Sequence, residues 1–232
     1  MSSTGSGILS SSAPVKEHLM RGSGGLGAEI NDLRNEMIAA TRHMASVVVE
    51  EWTNAAATAA AGLKDAAATV AAIVTFTASD LKSAAKTDML ANPRTITFTT
   101  AGVTPANAPA NVVITGTDVN DATISETLVL AQTADIVESV KAYKTITSLV
   151  FPAADGTAAT ISVGLGTKLG LKKKIKTRAG LTTCIKEIAN GAVVTNGVFT
   201  SAATSAPNGL YAPNANPDGS KDYCIYYESD ES

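Results

Sequence analysis

The spacing of apolar and polar positions changes character along the chain. From Ala28 onward, Ile30, Leu33, Met37, Ala40, Met44 and Val47 recur at alternating intervals of three and four. That rhythm predicts an amphipathic helix with an a/d seam. Glu29, Asp32, Arg34, Glu36 and Arg42 occupy positions between them, so one side is wetted and the other packed. The seam is about two and a half heptads long and serves either as the core face of one helix or as a self-association stripe. Ile30, Leu33, Met37, Met44 and Val47 are accordingly the candidate oligomer or partner interface. After Val47 to Trp52 the chain is Ala-rich through Ala72, with Gly62 interrupting any continuous helix. Residues 28–69 are therefore expected as a helical, Ala-rich segment.

The period shortens to two beyond it. Val70, Ile73, Val74 and Phe76, with Thr75 and Thr77 between, predict a strand entering a second region. Thr95 to Thr99 alternates strictly and places Ile96 and Phe98 on one face. Asn111 to Thr117 and Ile124 to Leu130 flank the polar run Asp118 to Asp121, the pattern of a hairpin. Further strands are expected at 143–150, 160–163, 184–188, 193–200 and 223–227, with a loop over 207–219. Short strands at this spacing predict a mainly β fold, a sandwich or jelly-roll-like domain over residues 70–232, ending in an acidic tail. Ahead of the helix, residues 1–27 are dominated by Ser and Gly and cannot bury enough to fold alone. They read as a flexible arm: a purification scar, a disordered tail, or a strap that orders against a partner.

Composition narrows the function classes. Hydrophobic residues make up 45% but aromatics only 4%, so the core rests on Val, Ile, Leu and Thr. The net charge of -3 gives no global nucleic-acid footprint, and nucleic acid is not an expected partner. Met1 to Ser12 lacks the basic and apolar regions of a signal peptide. The Ala-rich run from Ala55 to Val74 is broken by Gly62, Lys64 and Asp65 and is too polar to span a bilayer. A soluble chain without a membrane partner is expected. Cys184 and Cys224 have no metal-ligand spacing and read as reduced structural thiols, with a single disulfide as the other possibility.

Several segments together resemble a β domain recurring in the structural proteins of tailed bacteriophages. They are Asn92-Pro93-Arg94, Val112 to Asp118, Ser125-Glu126-Thr127, Lys141 to Ser148, Ile161 to Gly166, Lys168 to Leu171, Ala206 to Gly209 and Tyr223 to Glu228. The likeness covers roughly residues 90 to 228. What it implies is an auxiliary virion protein, assembled in the host cytoplasm and located in the virion. A capsid decoration (cement) protein is the first reading, stabilising the head shell through subunit contacts. Its partners would be the major capsid protein or other virion proteins, and a homo-oligomer, with a trimer possible. A neck, collar or fibre component is the alternative the resemblance leaves open; apart from the resemblance, β sandwiches often present ligand loops, so a carbohydrate-binding adhesin module is a third reading.

No constellation of catalytic type is legible, so the chain is read as a non-enzyme without cofactor or metal. Only two histidines are present, His18 in the arm and His43 on the helix; they read as a solvated residue and a helix-surface or interface residue, not as members of a triad. Asp118, Asp121 and Glu126 flank one hairpin without the spacing of a calcium loop and read as solvated turn carboxylates. Gly164-Leu165-Gly166 lacks the remainder of a phosphate loop. The basic run Lys168, Lys172, Lys173, Lys174, Lys176 and Arg178 has no interleaved aromatics. It reads as a solvated face or as a contact for an acidic protein surface, with Lys172, Lys173, Lys174, Lys176 and Arg178 as its candidates.

Overall fold

The computed structural model describes residues 46–102, 104–154, 156, 158–178, 181–182, 184–200 and 208–229. They belong to a compact unit spanning Ser46–Ser232. The unit Met1–Ala45 lies outside the described residues, and with it the expected arm and Ile30, Leu33, Met37 and Met44.

The described chain is mainly β and sandwich-like. In order it forms β1 (Ser46–Trp52), β2 (Ala59–Ala68), β3 (Val74–Thr77), α1 (Ser83–Ala91), β4 (Arg94–Gly102), β5 (Asn111–Thr117), β6 (Thr123–Val129) and β7 (Ile136–Glu138). Then come β8 (Thr145–Phe151), β9 (Ala159–Gly170), β10 (Thr177–Arg178), β11 (Leu181–Thr182), β12 (Cys184–Ala189), β13 (Ala192–Val194), β14 (Val198–Thr200), β15 (Leu210–Ala212) and β16 (Tyr223–Ser229). The named pairings are antiparallel.

One sheet runs β3-β8-β5-β6 and faces a second that runs β14-β15-β9-β4-β7, with β2 also along β9. The first core fills the space between them. Ile96 and Phe98 come from β4, Val112 and Ile114 from β5, Leu149 and Phe151 from β8, and Ile161, Val163 and Leu165 from β9. Phe151 meets Phe98 and Phe76 edge to face, at 6.1 and 5.6 Å between centroids, the arrangement that ring quadrupoles favour. β6 alternates buried and exposed at every residue, as a strand with one wetted face must.

A third sheet, β1-β16-β12-β13, packs over a second core made of Trp52, Leu169, Leu171, Ile175, Phe199, Tyr211, Tyr223, Ile225 and Tyr227. β9 is long enough to serve both cores, giving Ile161 to Leu165 to the first and Leu169 to the second.

The segment expected as helical through residue 69 is corrected from Ser46 onward, because Ser46–Trp52 and Ala59–Ala68 are strands. Val47 is thus not on a helical seam; its side chain lies on β1 and is exposed. The parity of β1 explains the change. Val48 and Trp52 face the second core while Val47 and Val49 face out, and three consecutive β-branched valines favour the extended chain. For β2 the tertiary context decides. Alanine's helix preference is worth at most roughly 0.7 kcal/mol per residue over ordinary residues, whereas β9 offers backbone groups that need partners inside the fold. Small side chains suit the close approach: a Cβ on Gly164 would land on the Ala59 carbonyl oxygen.

Helix α1 was not anticipated. It buries Ala85 and Met89, one turn apart, and stops before Pro93, with the Asn92 N–H returning to the Asp88 carbonyl at 2.7 Å. The expected strand over 193–200 divides into β13 and β14, and β15 occupies part of the expected terminal loop.

Candidate functional site: the lysine turn

The basic run does not act as one patch. Lys168 lies on β9 and pairs with Glu138 at 3.1 Å. Burial works to raise the Glu138 pKa, but the Thr95 hydroxyl, Lys168 and the Thr167 N–H outweigh it and hold the carboxyl below its usual range. Lys172, Lys173 and Lys174 form an exposed turn directly after β9. Leu171 and Ile175, each 1% exposed, anchor it on either side in the second core. Lys176 is half-buried, and Arg178 belongs to β10.

Groups from four other places hold the backbone of this turn, with Glu50, Tyr227 and Asn208 buried and Asn120 exposed. The Glu50 carboxylate of β1 accepts the Lys172 N–H at 2.7 Å. Tyr227 of β16 accepts the Lys173 N–H at 3.3 Å, and its hydroxyl reaches the same Glu50 oxygen at 2.5 Å and the Lys173 carbonyl at 3.0 Å. One phenolic proton serves one of those two acceptors at a time. Asn208 and Asn120 donate side-chain N–H groups to the Lys172 carbonyl at 2.9 and 3.2 Å. Beyond the turn, the Lys176 N–H donates to the Glu228 carbonyl at 2.8 Å.

The consequence is a set of cations on a fixed frame. Glu50 is 3% exposed and Tyr227 fully buried, so these hydrogen bonds operate in a low-dielectric interior where each is costly to lose. Burial pushes the Glu50 carboxyl pKa up, opposed by the Tyr227 hydroxyl and the Lys172 N–H. With its backbone groups held in this way, the turn has little backbone ordering entropy left to lose on contact.

The hairpin carboxylates are not solvated as a group. Asp118 is buried and caps its own turn, accepting the N–H groups of Asn120 at 2.8 Å and Ala122 at 3.0 Å. Glu126 is buried and accepts the N–H groups of Val140 at 2.9 Å and Lys141 at 3.2 Å, with its pKa raised by burial. Only Asp121 is exposed, paired with Lys144 at 2.7 Å. Glu187, buried on β12, accepts from the Tyr211 hydroxyl and, at 2.7 Å, from the Gly197 N–H. Glu126 and Glu187 each join separate chain segments, whereas Asp118 acts within its own turn. Among the described residues no group of three or more His, Cys, Asp or Glu side chains is arranged to hold a metal ion. His18 and His43 lie outside them.

Cys224 carries a free thiol whose pKa burial raises; across the sheet it faces Ile188. Tyr211, Tyr223 and Tyr227 are buried, and Tyr226 is half-buried. A cavity of about 370 Å³ opens between α1 and β8, lined by Leu81, Met89, Leu90 and Ile146. Lys86 and Lys144 stand at its edge, engaged with the Ala78 carbonyl and with Asp121.

Pattern reading located the lysines and missed Glu50, Tyr227, Asn120 and Asn208. One signal was available. Glu50 shares the inward parity of Val48 and Trp52, and a carboxylate on the core side of a strand needs a donor waiting for it.

No protein-family model, curated protein or solved structure matches the chain.

Proposed function

We propose that the chain is a virion structural protein, a capsid decoration protein that docks on an acidic protein surface of the head shell. The observation that carries this reading is the Lys172 to Lys174 turn, three exposed cations on a backbone fixed by Glu50, Tyr227, Asn208 and Asn120. Such a turn fits a partner of fixed, complementary charge. A long anionic polymer fits less well, because the whole chain is itself anionic. The phage-like sequence segments support the same reading. Asn92-Pro93-Arg94 stops α1 and starts β4, and Asn208-Gly209 leads into β15 while pinning the turn.

Charge reversal of the turn tests it. A Lys172→Glu, Lys173→Glu, Lys174→Glu chain keeps every backbone hydrogen bond, so its thermal midpoint should stay within a few degrees of the parent. Its retention on purified heads should fall by about tenfold or more, as lost charge complementarity does, and parent binding should weaken with added salt. Undiminished binding of the reversed chain would overturn the proposal.

A further inference from the structure

We propose that the cleft between α1 and β8 is a binding site for a small anionic amphiphile, a molecule with one carboxylate and a short apolar body. Its floor is the first core itself. Leu81, Met89 and Ile146 belong to that core and are 4%, 1% and 6% exposed. They line the cleft together with Leu90, which is 54% exposed. Between these walls lie about 370 Å³, within the ~300–1,000 Å³ of clefts that hold small molecules, which are likewise apolar with a few placed polar groups.

The charges of the lining set the sign of the ligand. Two charged residues line the cleft, Lys86 and Lys144, and no carboxylate does. Lys144 is already neutralised, because both oxygens of Asp121 accept from it, at 2.8 and 2.7 Å. Lys86 is not. Its ammonium donates to the Ala78 carbonyl at 2.7 Å, a neutral acceptor, and pairs with no carboxylate among the described residues. Asp80, close by in sequence, turns its carboxylate to the Thr77 N–H at 2.7 Å and the Thr77 hydroxyl at 2.9 Å. An ammonium carries three donors, so Lys86 keeps donors for an anion while it holds Ala78.

The shape sets the size of the ligand. A partner helix anchored at i, i+3, i+4 and i+7 needs an open groove that receives each anchor in turn. A single cleft ringed by Leu81, Met89, Leu90 and Ile146 instead encloses one alkyl tail, with the carboxylate at Lys86. This site is separate from the Lys172 to Lys174 turn and does not depend on the virion reading, so either can fail alone.

Isothermal titration of the full chain with decanoate, kept below its micelle concentration, should show one saturable site. From hexanoate to octanoate to decanoate, each added pair of methylenes should tighten binding by about tenfold. Decanol, which lacks the charge, should bind about tenfold more weakly than decanoate. Lys86→Gln should weaken decanoate by about tenfold and leave decanol unchanged, removing the difference between the two. Leu90→Glu, at an exposed helical position, should weaken decanoate by about tenfold or more by placing a like charge on the cleft. Both variants should keep the parent's thermal midpoint without ligand, and the chain-length series and the decanol comparison use the parent alone. Absence of saturable decanoate binding, equal affinity for decanoate and decanol, or full decanoate affinity in either folded variant would overturn the proposal.

Discussion

Arg94 is a cation with no exposure at all, and its partners explain how it is tolerated. Its guanidinium donates to the Gly166 carbonyl of β9, to the Ala56 carbonyl at 2.6 Å, and to Asp88 of α1 at 3.4 Å. Asp88 in turn accepts the Ala56 N–H at 2.9 Å and the Asn92 amide at 3.0 Å. Replacing Arg94 with Met strands a carboxylate and two carbonyls, and urea denaturation should show a loss of about 3–5 kcal/mol. Glu50 gives a pH prediction. Burial raises its folded-state pKa above the ordinary 4.5, so the folded state holds its proton to higher pH than the unfolded chain does. Stability relative to Glu50→Gln should fall as pH rises from about 4.5 through that raised value, then level off; a rise over that interval would contradict the assignment. Such details were only partly legible. The Asp118 cap is local, within four residues, and belongs to familiar turn chemistry. The partners of Glu126 lie 14 and 15 residues away, and those of Glu50 are 122 and 177 residues away, where no spacing rule reaches.

At the scale of elements, legibility follows the same division between local and distant causes. The β5–β6 hairpin and β8 were readable because alternation and turn residues are properties of a short window. β2 was not, because its alanines carry no strand signal and only the edge of β9 makes them extended. Nor was α1, whose apolar residues form no continuous stripe and whose boundaries depend on the sandwich it closes and on Pro93. Gly116 shows how tightly the elements meet. The β5–β8 register shifts between Thr115 and Gly116, and a Cβ at Gly116 would land on the Thr145 carbonyl oxygen. Gly116→Ala should therefore cost about 1–3 kcal/mol through overpacking, read as a lower urea midpoint with an unchanged slope. A neutral substitution would mean that the two strands separate more readily than this packing allows.

Across the compact unit, β9 links two cores that would otherwise share little, and Arg94 ties it to α1 and to the approach to β2. Trp52, the chain's single tryptophan, stacks on Tyr211 in the second core at 6.3 Å, so its fluorescence reports that core while far-UV circular dichroism reports both. The two urea transitions should coincide, as for one cooperative unit; separated midpoints would show that β9 does not couple the cores. The mainly β sandwich was evident from period-two patterning, and the lysines of the turn from composition. The frame that fixes those lysines emerges only once β1 is placed beside β16. The central claim is that this frame docks on a shell, and the most direct measurement is cryo-EM of the virion carrying the chain. The account predicts copies on the order of hundreds over the head, with Lys172 to Lys174 against an acidic surface; roughly a dozen copies on the portal axis, or none on the particle, would contradict it.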